Sequence, residues 1–211
     1  DINILSISTE LKYINTLIKF NSNPKDIRLR IREGSFSSTT SGVTPGFTQA
    51  NLAILPVKYA LDFMIFCQRN PRSCPLIEVL TPGHFEAVIS TPGSDIRTDV
   101  PKYRVFEYGE LIAEVTDILD YWKDDFVSFL LGCSFTFETA LINAGIKLPH
   151  YESKKNVSMY MTNIKSVSSD IFSGSMVVSM RWIHRNDIDK AVETTGIYPL
   201  MHGSPIHIGD P

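Results

Sequence analysis

Apolar residues follow two spacings along the chain, and together these spacings predict both helices and strands. Apolar residues three and four positions apart predict helices at 11–18, 24–33, 56–69, 118–130, 135–142 and 187–195. Within 24–33, apolar residues and arginines alternate, and this pattern fits a strand as well as a helix. Apolar runs and alternations bounded by Pro, Gly or Asn predict strands at 51–55, 76–80, 156–164 and 177–183. A hairpin over 103–115 is predicted to turn at Tyr108-Gly109. Because the elements lack a regular βαβ rhythm, we predict an α+β fold with packed helices and a mixed, partly antiparallel sheet.

The segment Phe-Leu-Leu-Gly-Cys-Ser-Phe-Thr-Phe-Glu at 129–138 is a small-residue break between two patterns that we predict to be helical. Gly132 would let the backbone turn, so that the amides of Cys133 and Ser134 open the next helix, where an oxyanion is stabilised. Two tightly packed helices would also need a small residue at their corner. Thr136 replaces the second glycine of a Gly-x-Ser-x-Gly motif, which disfavours a hydrolase nucleophile elbow.

Two further segments are candidates for function. Residues 35–49 are rich in Ser, Thr, Gly and Pro, which predicts a long loop that is either functional or a mobile surface connection. Asp95, Arg97 and Asp99 alternate in a segment that we expect to be extended, so their side chains would share a face. An arginine held between two aspartates either binds a substrate carboxylate or fastens a loop.

Composition and charge argue against several classes of binding partner. The 211 residues carry a net charge of −3 with scattered lysines and arginines, so we expect no nucleic-acid partner. No apolar run approaches the roughly 18 to 20 residues that span a bilayer, and we expect no membrane partner. Three cysteines without a CxxC spacing indicate reduced thiols and a cytoplasmic protein, with the mitochondrial matrix as the alternative.

Neither a metal nor a cofactor is expected. His202 and His207 are five residues apart across Gly203 and Pro205, a spacing that matches no common zinc motif. The sequence also contains no glycine-rich phosphate-binding motif. A histidine in such a segment can instead carry protons at neutral pH, because its ordinary pKa is about 6.5.

Seven segments, in order, resemble the "putative hydro-lyase" family that includes D-glutamate cyclase. The matching segments are 44–52, 66–71, 95–99, 129–135, 159–163, 173–181 and 202–211. Agreement over this many separate blocks is more specific than any single motif. The resemblance implies an enzyme that converts D-glutamate, or a related amino or carboxylic acid, into 5-oxo-D-proline and water.

The resemblance and the chemistry together suggest site residues. His202 or His207 would carry protons, and the hydroxyl of Ser134 and the amide of Cys133 would stabilise an oxyanion. We expect Arg97, oriented by Asp95 and Asp99, to bind a carboxylate, with Arg181 as the second choice. Asn51, Tyr160 and Asn163 would supply further polar contacts.

The resemblance covers residues from about 25 onward. It leaves open whether the protein is an enzyme or a binding protein. We expect an N-terminal helical extension over 1–23 and a single α+β domain over 24–211 that lacks the C-terminal segment of the family. The expected partner is a small carboxylate or amino acid, and a homo-oligomer is left open. A non-catalytic protein that binds such a molecule, and a hydrolase acting on a lactam or amide, are the alternatives.

Overall fold

The α+β class is confirmed in a computed structural model that describes residues 2–5, 23–153 and 155–210. The strands are β1 (Ile2–Leu5), β2 (Ala50–Pro56), β3 (Leu76–Leu80), β4 (Tyr103–Glu107), β5 (Glu110–Val115), β6 (Phe126–Gly132), β7 (Ser158–Lys165) and β8 (Ser175–Met180). The helices are α1 (Pro24–Arg32), α2 (Val57–Arg69), α3 (Glu138–Asn143), α4 (Pro149–Glu152) and α5 (Ile188–Gly196). None of the helices in these ranges is long and apolar enough to cross a membrane.

Six strands form the main sheet in the order β3-β6-β2-β1-β4-β5, and each neighbouring pair is antiparallel. Side chains alternate between the two faces of the sheet. Ile54 on β2 packs in one apolar cluster with Tyr103 and Phe126, whereas Ala53 packs on the other face with Phe129. Phe63 of α2 contacts the ring of Phe129 at 4.8 Å between centroids, so helix α2 covers this second face.

The helix predicted over 118–130 is wrong, because the second half of this segment is the buried strand β6. It follows a 3-10 turn at Leu119–Tyr121 and pairs with both β2 and β3. A strand that is buried on both faces has a continuous apolar sequence, and hydrophobic spacing alone cannot distinguish it from a buried helix.

The chain before residue 24 also differs from expectation where it is described. Strand β1 pairs with β2 and with β4, and the sequence did not predict it. The predicted helix at 11–18 lies outside the described residues. The domain boundary at residue 23 therefore stays a prediction.

Helix α1 and the loop after it form one unit. The side chain of Asn23 accepts a hydrogen bond from the amide of Lys25, Pro24 occupies the first turn, and Gly34 follows the helix with a φ of 73°. Ile27 and Ile31 pack against the loop residue Phe36. The helix predicted over 24–33 is thus confirmed, and Phe36 packs the start of the 35–49 loop against α1.

The C-terminal part combines a second, two-stranded sheet with short helices. Strands β7 and β8 pair with each other. The alternation of apolar and polar residues over 156–164 predicts a half-buried strand, but β7 is exposed at most positions. Asn186, three residues before Asp189, is typical of a helix N-cap, and this prediction is wrong because the side chain of His184 accepts the amide of Asn186 and α5 begins only at Ile188. Phe137 and Leu141, at the start of and within α3, pack with Met201 near the end of the chain.

Candidate functional site

The small-residue break at 129–138 joins strand β6 to a 3-10 turn at Ser134–Phe137, which continues into α3. The expectation that Gly132 turns the backbone sharply is wrong, because Gly132 is the last residue of the strand. A side-chain carbon on Gly132 would overlap the carbonyl oxygen of Leu200, so glycine is required here for close approach. The amide of Cys133 donates to the carbonyl of Gln49 at 3.2 Å and is not available to an oxyanion.

Buried polar side chains meet just after this break. The carboxylate of Glu138 accepts from Arg181 Nη2 at 2.7 Å and from Arg181 Nε at 3.0 Å, and it contacts His150 Nε2 at 2.9 Å. Arg181 also donates to the hydroxyls of Ser134 at 3.1 Å and Ser179 at 2.9 Å. We call these five residues the Glu138 cluster. The side chains of Glu138 and Arg181 are 6% and 8% exposed, so their charges interact with little solvent screening.

The Glu138 cluster holds its carboxylate ionised. Burial alone would raise the pKa of Glu138, but the contact with His150 and the charge and hydrogen bonds of Arg181 outweigh burial and lower it. Arg181 is held in turn over the ring of Phe137, 4.9 Å from its centroid. The guanidinium is therefore fixed in position beside Ser134.

His202 lies near the cluster, whereas His207 does not join it. His202 Nδ1 is 2.7 Å from the carbonyl of Arg72. Burial lowers the pKa of His202 and the positive charge of Arg181 acts in the same direction, whereas hydrogen bonds to the carbonyls of Arg72 and Gly132 oppose this shift. The net effect favours the neutral form of the His202 ring. The described contact of the His207 ring is within the exposed tail, to the carbonyl of Asp210 at 2.8 Å.

The expectation that Asp95, Arg97 and Asp99 lie in an extended segment is wrong, because these residues form a turn in which the amide of Asp99 donates to the carbonyl of Asp95. The expected pairing of Arg97 with Asp95 is present, whereas its pairing with Asp99 is not. Arg97 forms two hydrogen bonds with Asp95, at 2.7 and 2.9 Å, and stacks 3.6 Å from the ring centroid of Phe85. Asp99 instead accepts two hydrogen bonds from Arg32. Arg97 is consequently paired with Asp95 alone of the two aspartates.

A cavity of about 400 Å³ lies between α1, the 35–49 loop and the segment 90–102, and the residues of the Glu138 cluster are not among the described residues that line it. This volume suits a small organic ligand. Asn51, Asp99 and Cys133 line the cavity, while Arg97 is not among the described residues that line it. Burial raises the pKa of Cys133, although a hydrogen bond with Asn51 opposes this effect, so the thiol stays protonated.

The cavity lining and the Glu138 cluster are adjacent in the chain at two consecutive residues of the break. Cys133 lines the cavity, and Ser134 belongs to the Glu138 cluster. Tyr160 and Asn163 lie instead on β7, where both are exposed. Among residues 23–153 and 155–210, no group of three or more His, Cys, Asp or Glu side chains is arranged to hold a metal ion.

Comparison with known proteins gives one consistent result. A sequence profile described as D-glutamate cyclase matches residues 127–211. A "Putative hydro-lyase" of Natranaerobius thermophilus is 51% identical over 189 residues, which are 90% of this chain and 72% of that protein. One from Geobacillus kaustophilus is 52% identical over 187 residues, 89% of this chain and 71% of that protein. The chain belongs to this hydro-lyase family.

One relative from a third organism agrees with this assignment. The "Putative hydro-lyase" of Psychrobacter arcticus is 49% identical over 191 residues, or 90% of this chain and 73% of that protein. The matched profile begins within β6 and includes the break, the Glu138 cluster and His202. The family match thus covers the part of the chain in which the polar residues converge.

Sequence reasoning missed three members of the cluster, which are Glu138, His150 and Ser179. Glu138 was noted only as part of a helical pattern, and no role was given to His150. One signal was available for Glu138, since it is three residues before the fully buried Leu141 and so shares the buried face of α3. His150 gave no such signal, because its contact with Glu138 depends on how α4 packs.

Proposed function

We propose that this hydro-lyase closes D-glutamate, or a closely related amino or carboxylic acid, into 5-oxo-D-proline with release of water. In this reaction the ammonium group first loses a proton, and the neutral amine nitrogen attacks the γ-carboxyl carbon. The nitrogen loses a second proton, a carbon–oxygen bond breaks, and the carboxylate oxygen leaves as water with these two protons. The observation that carries the proposal is that a ligand-sized cavity and the buried Glu138 cluster are adjacent in the chain at Cys133-Ser134. The family match supports the reaction class.

Ser134 is assigned as the donor to the tetrahedral oxyanion, because it directly follows the cavity residue Cys133 and its oxygen is held by Arg181. Its oxygen accepts a hydrogen bond from Arg181, which leaves its own hydrogen free to donate. The contact with Ser179 at 3.3 Å is long enough to be exchanged for a bond to the substrate. Arg181 acts by holding Ser134, because its own donors already bind Glu138, Ser134 and Ser179.

His202 is the better proton carrier of the two histidines first considered. The amine must lose a proton in order to attack, and a neutral imidazole can accept that proton. His202 meets this requirement because burial lowers its pKa, whereas His207 is in the exposed tail. Asn51 lines the cavity and would contribute a polar contact, while roles for Tyr160 and Asn163 would require the ligand to reach the exposed strand β7.

The decisive experiment is to incubate the protein separately with D-glutamate, L-glutamate and 5-oxoproline and to follow their interconversion by chiral chromatography. We expect conversion of D-glutamate, and we expect Ser134→Ala to lower kcat by about 100-fold or more, as loss of one oxyanion donor does in other enzymes. Ser128→Ala is the matched control, because Ser128 lies on β6 and its buried hydroxyl has no partner among the described residues.

Each alternative predicts a different result. Binding of D-glutamate without turnover would indicate a non-catalytic binding protein, and opening of 5-oxoproline without closure of glutamate would indicate a lactam hydrolase. A Ser134→Ala variant that keeps the wild-type kcat would refute the role of Ser134.

A further inference from the structure

Helix α1 places an arginine on the wall of the cavity. Arg28 lines the cavity together with Ile27 and Ile31 of the same helix. Its side chain is 19% exposed, and its Nε lies 3.9 Å from Asp99 Oδ2. This separation is beyond the range of a hydrogen bond. Arg28 therefore makes a loose ion pair at the cavity surface.

Asp99 has no hydrogen-bonding capacity left for Arg28. Its Oδ1 accepts from Arg32 Nε at 2.8 Å and from the hydroxyl of Thr98 at 3.1 Å. Its Oδ2 accepts from Arg32 Nη2 at 2.9 Å and from the amide of Asp95 at 2.8 Å. An ionised carboxylate offers about four acceptor positions, and these four bonds use them. Arg32 also neutralises the negative charge of Asp99.

The other cations near the cavity or the cluster are already paired. Lys102 lines the cavity and lies 3.4 Å from Glu114, and Arg104 lies 2.7 Å from the same carboxylate. Arg181 is bound to Glu138. Among the described residues, Arg28 thus combines a place on the cavity wall with guanidinium donors that form no hydrogen bond to the protein.

We propose that Arg28 binds a carboxylate group of the ligand in this cavity. A guanidinium presents paired donors that match the two oxygens of a carboxylate, and a low-dielectric wall strengthens this interaction. The apolar neighbours Ile27 and Ile31 would contact the aliphatic part of a short dicarboxylate. The identity of the carboxylate as that of glutamate rests on the proposed function, whereas the assignment of Arg28 as the carboxylate-binding residue does not.

Binding of glutarate to the 211-residue chain, measured by isothermal titration calorimetry, tests this assignment. Glutarate has the two carboxylates of glutamate but no amine, so it cannot cyclise. We expect Arg28→Gln to weaken glutarate binding about 10- to 100-fold, as expected for loss of a charge-assisted hydrogen-bonded pair. The matched control is Arg30→Gln, which removes the same charge from the same helix at a position that does not line the cavity. This control should change the Kd by about twofold or less.

A second variant covers the case in which Arg28→Gln fails to fold, as judged by circular dichroism. Arg28→Lys keeps the charge but loses the paired donors, so we expect about 3- to 10-fold weaker binding of glutarate. The inference is overturned if wild-type protein does not bind glutarate, if the folded Arg28 variants bind it as tightly as wild type, or if inorganic phosphate binds as tightly as glutarate.

The two proposals can fail separately. Turnover of D-glutamate with an unchanged KM in Arg28→Gln, together with unchanged glutarate binding, would overturn the inference and keep the proposed function. Loss of glutarate binding in Arg28→Gln without any turnover by the wild-type protein would keep the inference and overturn the proposed function.

Discussion

At Gly132 the missing side chain allows two distant segments to touch. The backbone of Leu200 occupies the space that a side-chain carbon would fill, and the sulfur of Met201 is 3.0 Å from the same position. Met201 is buried with Phe137 and Leu141, so this contact joins the end of strand β6 to the core around α3. Gly132 thus helps to position both Ser134 and His202.

Gly132→Ala should therefore destabilise the protein strongly. The added methyl group must displace backbone, and we expect a loss of about 3 kcal/mol or more in the free energy of unfolding, measured by urea denaturation. Gly174→Ala is the matched control, because a carbon added at Gly174 would meet nothing within 4 Å. Equal stability of the two variants would contradict the close approach.

Some residues of the candidate site could be found from the sequence, and others could not. Cys133 and Ser134 stand out because a small-residue break interrupts two apolar patterns. The partner of Asp99 could not be deduced, since Arg32 is 67 residues away from it in the chain. The local turn also separates Arg97 from Asp99, which an alternating extended segment would have placed on one face. Long-range pairing of charges depends on tertiary packing, which residue spacing does not encode.

At the scale of single elements, the turn of the β4–β5 hairpin contains one residue that suits its backbone conformation and one that does not. Tyr108 and Gly109 have φ values of 50° and 87°, the left-handed conformation that a tight two-residue turn requires. Both residues adopt this conformation. Gly109 has no side chain and adopts it without steric strain, whereas the Cβ atom of Tyr108 makes it strained. The side chain of Tyr108 is 82% exposed, so it contributes little packing that would offset this strain.

Replacing Tyr108 with asparagine should stabilise the hairpin. Asparagine tolerates the left-handed conformation, and Asn-Gly is favoured in such turns, so we expect Tyr108→Asn to raise the free energy of unfolding by about 0.5 to 1 kcal/mol. Urea denaturation measures the change. Tyr108→Phe keeps the strain and should leave stability nearly unchanged; a stabilised Tyr108→Phe variant would show that turn strain is not the cause.

Elements with clear boundaries were predictable, whereas buried apolar runs were not. Helix α2 begins after Pro56 and ends at Asn70-Pro71, and strand β3 lies between Pro75 and Pro82, so local residues mark their ends. Strand β6 is apolar at nearly every position, and neither a period of two nor one of 3.6 can be recognised in it. Its strand character comes from pairing with β2 and β3.

At the scale of the whole molecule, the Glu138 cluster connects separate elements. Glu138 begins α3, His150 belongs to α4, and Arg181 directly follows strand β8. Their contacts therefore attach the two-stranded sheet and α4 to the end of the main sheet. Breaking a buried ion pair by removing one partner costs more than losing an exposed pair, because the remaining charge stays buried.

This connection makes stability dependent on pH. The pKa of Glu138 is lower in the folded state, so its contribution is complete above the unfolded value of about 4.3 and is lost as the pH falls through the folded pKa. We expect Glu138→Gln to cost about 3 to 5 kcal/mol at pH 7 and less at acidic pH, measured by urea denaturation across pH 3 to 7.

Glu114→Gln provides the comparison for this prediction. Glu114 also pairs with basic side chains, but its own side chain is 36% exposed. Solvent screens such a pair, so this variant should change the free energy of unfolding far less at every pH. A Glu138→Gln effect that is the same at pH 3 and pH 7 would show that the charge of Glu138 is not responsible.

Strand order was the least predictable property, and it has a kinetic consequence. Strand β1 lies between β2 and β4, and its residues pair with positions as distant as Ile54 and Glu107. Large loops must close before these contacts form, which slows folding in proteins dominated by distant pairings. Strand β1 can form its full set of hydrogen bonds only after both β2 and β4 are in place. Residues 2–5 are therefore expected to join the sheet late in folding.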